Sequence, residues 1–146
     1  DKNPNLRGKD IKAMEKSFER YSRYPVCIFS FAEGTRFNEE KRLTQDSKFK
    51  NLLNPKSGGI GLTLTTMPYI QLMLDFSIYY HSSKRSFWDF LCGRMSKATI
   101  KVREIPIPEN LLQKNYEEDI TFREDLKSWM ENLWTEKDNF IEDLKK

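Results

Sequence analysis

Residues 33 to 36 carry functional groups that are suited to binding an anion. Within four positions the chain places the carboxylate of Glu33, the flexible backbone of Gly34 and the guanidinium of Arg36. Arg36 presents a planar fork of N–H donors that fits two oxygens of a phosphate at once. Gly34 permits a sharp turn and the close approach of a ligand, and Glu33 is placed to hold the guanidinium. The alternative is a surface turn with an Arg–Glu pair of little energetic value.

A second candidate anion site follows in the segment Pro55-Lys56-Ser57-Gly58-Gly59. Ser57 is predicted to cap a helix that runs to about Thr66. A helix N-terminus offers free amide N–H groups and a positive dipole end, and Lys56 adds a charge beside them. The lysine precedes the glycines, so this is not a P-loop. The alternative is that the glycines only permit close packing of the helix.

A buried strand is predicted to carry the first of these groups. Val26 to Phe31 is an apolar run without polar alternation, which is typical of a strand buried on both faces of a parallel sheet. Ligands of open α/β sheets bind beyond the carboxyl ends of such strands, which is where Glu33 to Arg36 would lie. Helical spacing of apolar residues from Ile11 to Tyr21 predicts an amphipathic helix before the strand.

Four further elements are predicted downstream. They are a strand at Ile70–Tyr80, a short helix at Ser86–Cys92 closed by Gly93, a half-exposed edge strand at Ala98–Arg103, and a long helix opened by a capping box at Thr121–Glu124. The aromatic side chains of the short helix are interpreted as core, with insertion into a membrane surface as the alternative. The basic face of the edge strand is interpreted as solvated, with attraction of an anionic lipid headgroup as the alternative.

Composition sets limits on the class of protein. The 146 residues, with 38% hydrophobic content, predict one folded domain, and the net charge of +3 does not favour nucleic acid as a partner. Cys27 and Cys92 form neither a disulfide framework nor a metal-binding spacing, which favours a reducing compartment. No apolar stretch approaches the length of a membrane span.

The segment Phe31-Ala32-Glu33-Gly34-Thr35-Arg36-Phe37 closely resembles the F-P-E-G-T-R block of the glycerolipid acyltransferases, which include lysophosphatidic acid acyltransferase. Ala32 stands where that family has proline. The resemblance implies that Arg36 binds the phosphate of the acyl acceptor, that Glu33 orders the site, and that Gly34 and Thr35 shape the turn. Pro55 to Gly59 resembles the P-K-x-G-G stretch of one bacterial branch, so Lys56, Ser57 and Gly58 would add positive potential.

The resemblance also implies a fold and its extent. Residues 1–146 are expected to be the C-terminal part of a single acyltransferase domain, an α/β fold with a mostly parallel sheet flanked by helices. The family's catalytic N-H-x-x-x-x-D block is absent from the chain: the single histidine is His81, and Ser86 follows it by five positions. We therefore expect the catalytic residues upstream of Asp1, and no catalytic activity from this chain alone.

The function implied by the resemblance is transfer of a fatty acyl group to a lysophosphatidic acid-like acceptor. The donor would be acyl-CoA or acyl carrier protein, no metal or organic cofactor is expected, and the parent protein would act at the cytoplasmic face of the inner membrane. Two alternatives belong to other classes. One is a non-catalytic anion-binding α/β module that uses Arg36 and Lys56. The other is an interaction domain whose last helix binds a partner through Phe122, Trp129 and Leu133.

Overall fold

The computed structural model describes residues 27–83 and 86–146, and this part of the chain is mixed α/β. In chain order its elements are α1 (Glu39–Thr44), α2 (Gly58–Thr66), β1 (Leu72–Tyr80), α3 (Phe87–Leu91), β2 (Ala98–Pro106), a 3-10 turn (Glu109–Leu111) and α4 (Ile120–Asp143). The predicted helix between Ile11 and Tyr21 lies outside the described residues.

The two strands form an antiparallel sheet. Leu72 lies opposite Pro106 and Tyr80 lies opposite Ala98, so β1 and β2 pair along their full lengths. Both strands were predicted at these places, and both are confirmed. The mostly parallel sheet that the resemblance implies is not seen in the described part of the chain, where β1 and β2 make up the whole sheet.

The predicted buried strand at Val26–Phe31 is wrong as far as the structure describes it. Val26 lies outside the described residues, and Cys27 to Phe31 has no strand pairing. Phe29 and Phe31 are 79% and 87% exposed. A strand buried on both faces needs neighbouring strands and covering layers, and the described residues supply neither at this position.

Helix α4 organises the core. Its buried side chains recur at helical spacing and include Phe122, Leu126, Met130 and Leu133. They pack with residues from the preceding segments, among them Phe49, Leu64, Ile107 and Leu111. The predicted long amphipathic helix is confirmed, with Trp129 half-buried and Phe122 and Leu133 buried.

The cap of α4 differs from the prediction. Asp119 is the N-cap residue, and its Oδ1 accepts a hydrogen bond from the Phe122 amide at 2.9 Å. The predicted capping box at Thr121–Glu124 is therefore wrong, and the helix begins at Ile120, after the Asp119 cap. Aspartate is a strong N-cap residue, so it competes successfully with the nearby threonine.

The two faces of the sheet are reversed relative to the prediction for β2. Arg103 pairs with the buried carboxylate of Asp75 at 2.7 Å and also with Glu136 on α4. Lys101 places its Nζ 4.7 Å from the centroid of the Phe140 ring. On this face Arg103 is therefore directed towards α4, because the carboxylates of Asp75 and Glu136 neutralise its charge, whereas Lys101 contacts the Phe140 ring and remains exposed to solvent.

The opposite face of the sheet is apolar and exposed. We call it the open face; it consists of Leu72, Leu74, Phe76, Ile78, Tyr80, Ile100 and Val102. Exposed apolar patches of this kind mark surfaces that another layer or partner covers.

Helix α3 forms at the predicted place but not in the core. The Ser86 hydroxyl accepts a hydrogen bond from the Asp89 amide at 3.1 Å, and the Asp89 carboxylate accepts one from the Ser86 amide, which completes a capping box. Gly93 follows the helix with a φ of +67°. The interpretation of its aromatic side chains as core is wrong, since Phe87 and Trp88 are 69% and 70% exposed. Among the described helices, none combines the length and the apolar character needed to cross a bilayer.

Candidate functional site

The turn at Glu33–Gly34 is held against the segment that carries Lys56. The Gly34 amide donates to the Phe31 carbonyl at 2.8 Å, and Gly34 has a φ of +69°, where glycine is favoured. The Lys56 amide donates to the carbonyl of buried Ala32 at 2.8 Å. The two motifs that sequence singled out, separated along the chain, are therefore joined by a backbone hydrogen bond.

The side chain of Lys56 lies over this turn. A Cβ atom placed on Gly34 would sit 3.2 Å from the Lys56 Nζ and 3.5 Å from its Cδ. The positive φ therefore favours glycine at position 34, and a side chain there would also contact the end of Lys56. The ammonium group, which is exposed to solvent, stands at the surface of the glycine turn.

Glu33 connects the turn to the segment that contains Leu53. Its half-buried carboxylate accepts a hydrogen bond from the Leu53 amide at 3.2 Å. Burial raises the pKa of Glu33, and this effect outweighs the hydrogen bond from Leu53 and the influence of Trp134 on α4, which both lower it. The indole Nε1–H of Trp134 nevertheless makes no hydrogen bond of acceptable geometry within the described residues.

Arg36 does not pair with Glu33, contrary to the prediction that Glu33 holds its guanidinium. The Glu33 carboxylate is turned to Leu53 instead. Arg36 is exposed, and its guanidinium forms no ion pair within the described residues. All of its N–H donors therefore remain available to an external anion.

Lys41 is a residue of the site that sequence reasoning missed. Its Nζ donates to the Thr35 hydroxyl at 2.7 Å and to the Arg36 carbonyl at 3.3 Å. Lys41 belongs to the first turn of α1, which Asn38 caps by accepting from the Lys41 amide at 2.7 Å. The signal available in the sequence was the Asn38 cap, which places Lys41 one helical turn after it.

The N-terminus of α2 follows directly after Lys56. Helix α2 begins at Gly58 as predicted, and Ser57 occupies the N-cap position. Its hydroxyl does not cap the helix but forms a hydrogen bond of 3.0 Å with the Tyr116 hydroxyl. The first amide groups of α2 are thus left without a side-chain cap, which is the state in which a helix N-terminus binds anions.

One glycine of α2 serves packing, as the alternative interpretation proposed. A Cβ atom on Gly61 would lie 2.0 Å from Cδ2 of Tyr116. By contrast, a Cβ atom on Gly59 would meet only the Ser30 hydroxyl, at 4.0 Å. Packing against Tyr116 therefore explains the glycine at position 61, but packing does not explain the glycine at position 59.

His81 has the environment of a surface residue at the end of a strand. Its Nε2 lies 2.9 Å from the Thr99 hydroxyl, and its ring meets Tyr79 edge-on at 4.8 Å between centroids. No carboxylate in the described part of the chain orients this ring. In residues 27–83 and 86–146, no group of three His, Cys, Asp or Glu side chains is arranged to hold a metal ion.

The pKa of Glu33 gives a testable dependence on pH. Because the folded pKa lies above the ordinary value of 4.5, the folded state retains the proton while the unfolded state loses it. Glu33 therefore lowers the free energy of unfolding as pH rises through 4.5 towards the folded pKa, and the deficit persists above it. Glu33→Gln removes this deficit and keeps an acceptor for Leu53.

We expect Glu33→Gln to raise the free energy of unfolding at pH 7.5 by at most about 1 kcal/mol, since the carboxylate is only half-buried. No difference is expected at pH 4, where the group is largely protonated in both states. Urea unfolding at the two pH values checks this. Equal effects at both would show that burial does not control this carboxyl group.

The described geometry collects positive groups around one turn. Lys56 lies over Gly34, Lys41 fixes Thr35, and Arg36 projects without an internal partner. Such an arrangement can bind a phosphate or a carboxylate at the surface. Comparisons of the chain with models of protein families, with curated proteins and with solved structures gave no match.

Proposed function

We propose that this chain is the acceptor-binding part of a lysophospholipid acyltransferase. In this proposal the turn at Glu33–Arg36 receives the phosphate of a lysophosphatidic acid-like acceptor. The catalytic histidine and aspartate belong to sequence outside these 146 residues. The acyl donor is acyl-CoA or acyl carrier protein, and the reaction takes place at the cytoplasmic face of a membrane.

The observation that carries the proposal is the contact between the two motifs. The family resemblance rests on the F-A-E-G-T-R-F segment and the P-K-S-G-G segment, and the Lys56 amide is bonded to the Ala32 carbonyl between them. A Cβ atom built on Gly34 would lie 3.2 Å from the Lys56 Nζ. Two segments of independent resemblance, which carry Arg36 and Lys56, are thus joined at one turn, and this supports a shared phosphate site.

The open face, and a sheet that has two strands within the described residues, support a larger α/β fold. A two-stranded hairpin is marginally stable alone, and here one of its faces exposes seven large apolar side chains. In the proposed parent fold, further strands continue the sheet in mostly parallel order and a further layer covers the open face. This arrangement would place the turn at Glu33–Arg36 beside the catalytic block.

The proposal is tested by acyl transfer with the protein extended through its upstream catalytic block. Arg36→Ala is expected to lower kcat/KM for lysophosphatidic acid by about 100-fold, which corresponds to about 2.7 kcal/mol for a lost pair of charged hydrogen bonds. Arg36→Lys restores the charge without the fork, so its loss should be smaller. Lys56→Ala is expected to lower kcat/KM by about 10-fold, since an exposed ammonium contributes less.

Lys50→Ala is the matched control, because Lys50 is exposed and carries the same charge on another segment. Its kcat/KM should equal that of the unmodified protein. If Arg36→Ala leaves both kcat and KM unchanged, Arg36 does not bind the acceptor. If the upstream sequence contains no H-x-x-x-x-D block, the non-catalytic anion-binding module takes the place of the enzyme.

A further inference from the structure

Helix α3 is an apolar projection in the connection between β1 and β2. Four of its five residues, Phe87, Trp88, Phe90 and Leu91, have side chains that are 56–70% exposed. They lie at positions that cover most of the helix circumference, so no polar face is turned to solvent. A solvated helix of a folded domain ordinarily presents polar residues on its outer side.

The single polar residue of α3, Asp89, is bonded to residues at the two ends of the helix. The Asp89 carboxylate accepts a hydrogen bond from the Ser86 hydroxyl at 2.6 Å and is paired with Arg94 at 3.3 Å. The hydrogen bond from Ser86 is also the main reason that the pKa of Asp89 is lowered. The negative charge of α3 is therefore held by Ser86 and Arg94, and the exposed surface of the helix is formed by its apolar side chains.

Basic residues flank the apolar group. Between positions 84 and 97 the sequence carries four basic residues and one acidic residue. Two of the four, Arg94 and Lys97, lie in the described part of the chain, and both are exposed. Aromatic side chains with cations close by in the sequence are complementary to a bilayer with an anionic headgroup layer.

We propose that α3 inserts into the interfacial layer of an anionic membrane. The aromatic and leucine side chains enter the boundary between headgroups and acyl chains, and Arg94 and Lys97 contact the lipid phosphates. Interfacial helices bury their apolar side chains roughly 5–10 Å into the boundary between headgroups and acyl chains. Tryptophan is enriched at this depth of the bilayer.

This surface is separate from the proposed acceptor site and does not depend on it. It uses neither Arg36 nor Lys56, so loss of acyl transfer and loss of membrane binding are distinguishable. A protein partner is the other occupant that an apolar surface admits. We favour lipid because the exposed cations Arg94 and Lys97 follow the aromatic helix and are complementary to anionic headgroups.

The experiment is co-sedimentation of the 146-residue chain with unilamellar vesicles. Vesicles of phosphatidylcholine mixed with phosphatidylglycerol should bind the chain more tightly than vesicles of phosphatidylcholine alone. Phe87→Ala/Phe90→Ala should weaken binding to the mixed vesicles by about 10- to 100-fold. Lys97→Gln should weaken it by about 5-fold, the loss expected for one cation near an anionic surface.

Matched controls separate this site from general stickiness. Leu43→Ala removes an exposed apolar side chain from α1, and Lys146→Gln removes an exposed cation from the end of the chain. Both should bind as the unmodified chain does. All the substituted side chains are exposed, so the variants are expected to fold, and circular dichroism checks this.

A second measurement identifies the inserted residue. Brominated lipids quench tryptophan emission only within the bilayer, and Trp88 is exposed whereas Trp134 is buried and Trp129 half-buried. Quenching should occur with the unmodified chain and disappear with Trp88→Phe, which keeps an aromatic side chain and should still sediment. Quenching that persists in Trp88→Phe would place another part of the chain in the bilayer.

Three further results would overturn the proposal. One is equal vesicle binding by the unmodified chain and Phe87→Ala/Phe90→Ala. Another is the absence of any binding to the mixed vesicles. The third is a dimer in solution that Phe87→Ala/Phe90→Ala converts to a monomer, since α3 would then be an interface between two copies of the chain.

Discussion

Asp75→Ala is expected to lower the free energy of unfolding by about 3–4 kcal/mol. The Asp75 carboxylate is 5% exposed and is paired with Lys137 on α4 and, at 2.7 Å, with Arg103 on β2. Lys137 is itself 11% exposed and stacks over the Trp134 ring at 4.5 Å. Removing the carboxylate leaves the nearly buried Lys137 without its paired carboxylate, while Arg103 keeps only the exposed Glu136.

Urea unfolding of the variant and of Asp143→Ala measures this effect. Asp143 forms an exposed pair with Lys146 at 2.7 Å, and its removal should cause no measurable change. The double variant Asp75→Ala/Lys137→Met removes the unpaired charge, so we expect it to recover part of the loss. A loss for Asp75→Ala no larger than that for Asp143→Ala would show that this network does not hold β1 to α4.

Gly61→Ala is expected to lower the free energy of unfolding by about 2–3 kcal/mol. The added Cβ would lie 2.0 Å from Cδ2 and 2.5 Å from Cε2 of Tyr116. Tyr116 has little freedom to move, because its hydroxyl bonds to Ser57 and its ring packs edge-on against Phe122 at 6.0 Å. The strain therefore exceeds the gain that alanine ordinarily gives in a helix.

Gly59→Ala is the matched control, since it introduces the same methyl group into the same helix with free space around it. It should leave stability unchanged or raise it slightly. In a Tyr116→Ala background the effect of Gly61→Ala should vanish, because the clashing ring is gone. An undiminished effect in that background would place the strain elsewhere.

Gly61→Ala is also expected to affect the candidate site. Tyr116 is bonded to Ser57 at 3.0 Å, and Ser57 follows Lys56 in the chain. A displaced Tyr116 would therefore disturb the position of Lys56 over Gly34. Under the proposed function, we expect Gly61→Ala to reduce acyl transfer by the extended protein more than Gly59→Ala does.

The sequence predicted elements whose signals are local. The capping box of α3 involves only Ser86 and Asp89, and the strand alternation in Ala98–Arg103 is a property of that segment alone. The positive φ of Gly34 likewise requires only the turn in which it lies. Such features were predicted correctly because the residues that cause them are within a few positions of one another.

Environment was predicted less well than secondary structure. Aromatic content suggested a buried α3, but nothing in the described chain covers Phe87 or Trp88. The alternation in β2 predicts that its charged face is solvated, but Arg103 forms ion pairs with Asp75 and Glu136 on the side that faces α4. Periodicity shows that a strand has two unlike faces, but it does not show which face the neighbouring helix covers.

For the candidate site, sequence alone determined the turn at Gly34, the start of α2 at Gly58 and the presence of a guanidinium and an ammonium near them. Only the tertiary structure decided that Lys56 lies over Gly34 and that Glu33 bonds to Leu53 and leaves Arg36 free. The physical reason is range: backbone angles and caps are set by adjacent residues, whereas these contacts depend on how separate segments pack around α4.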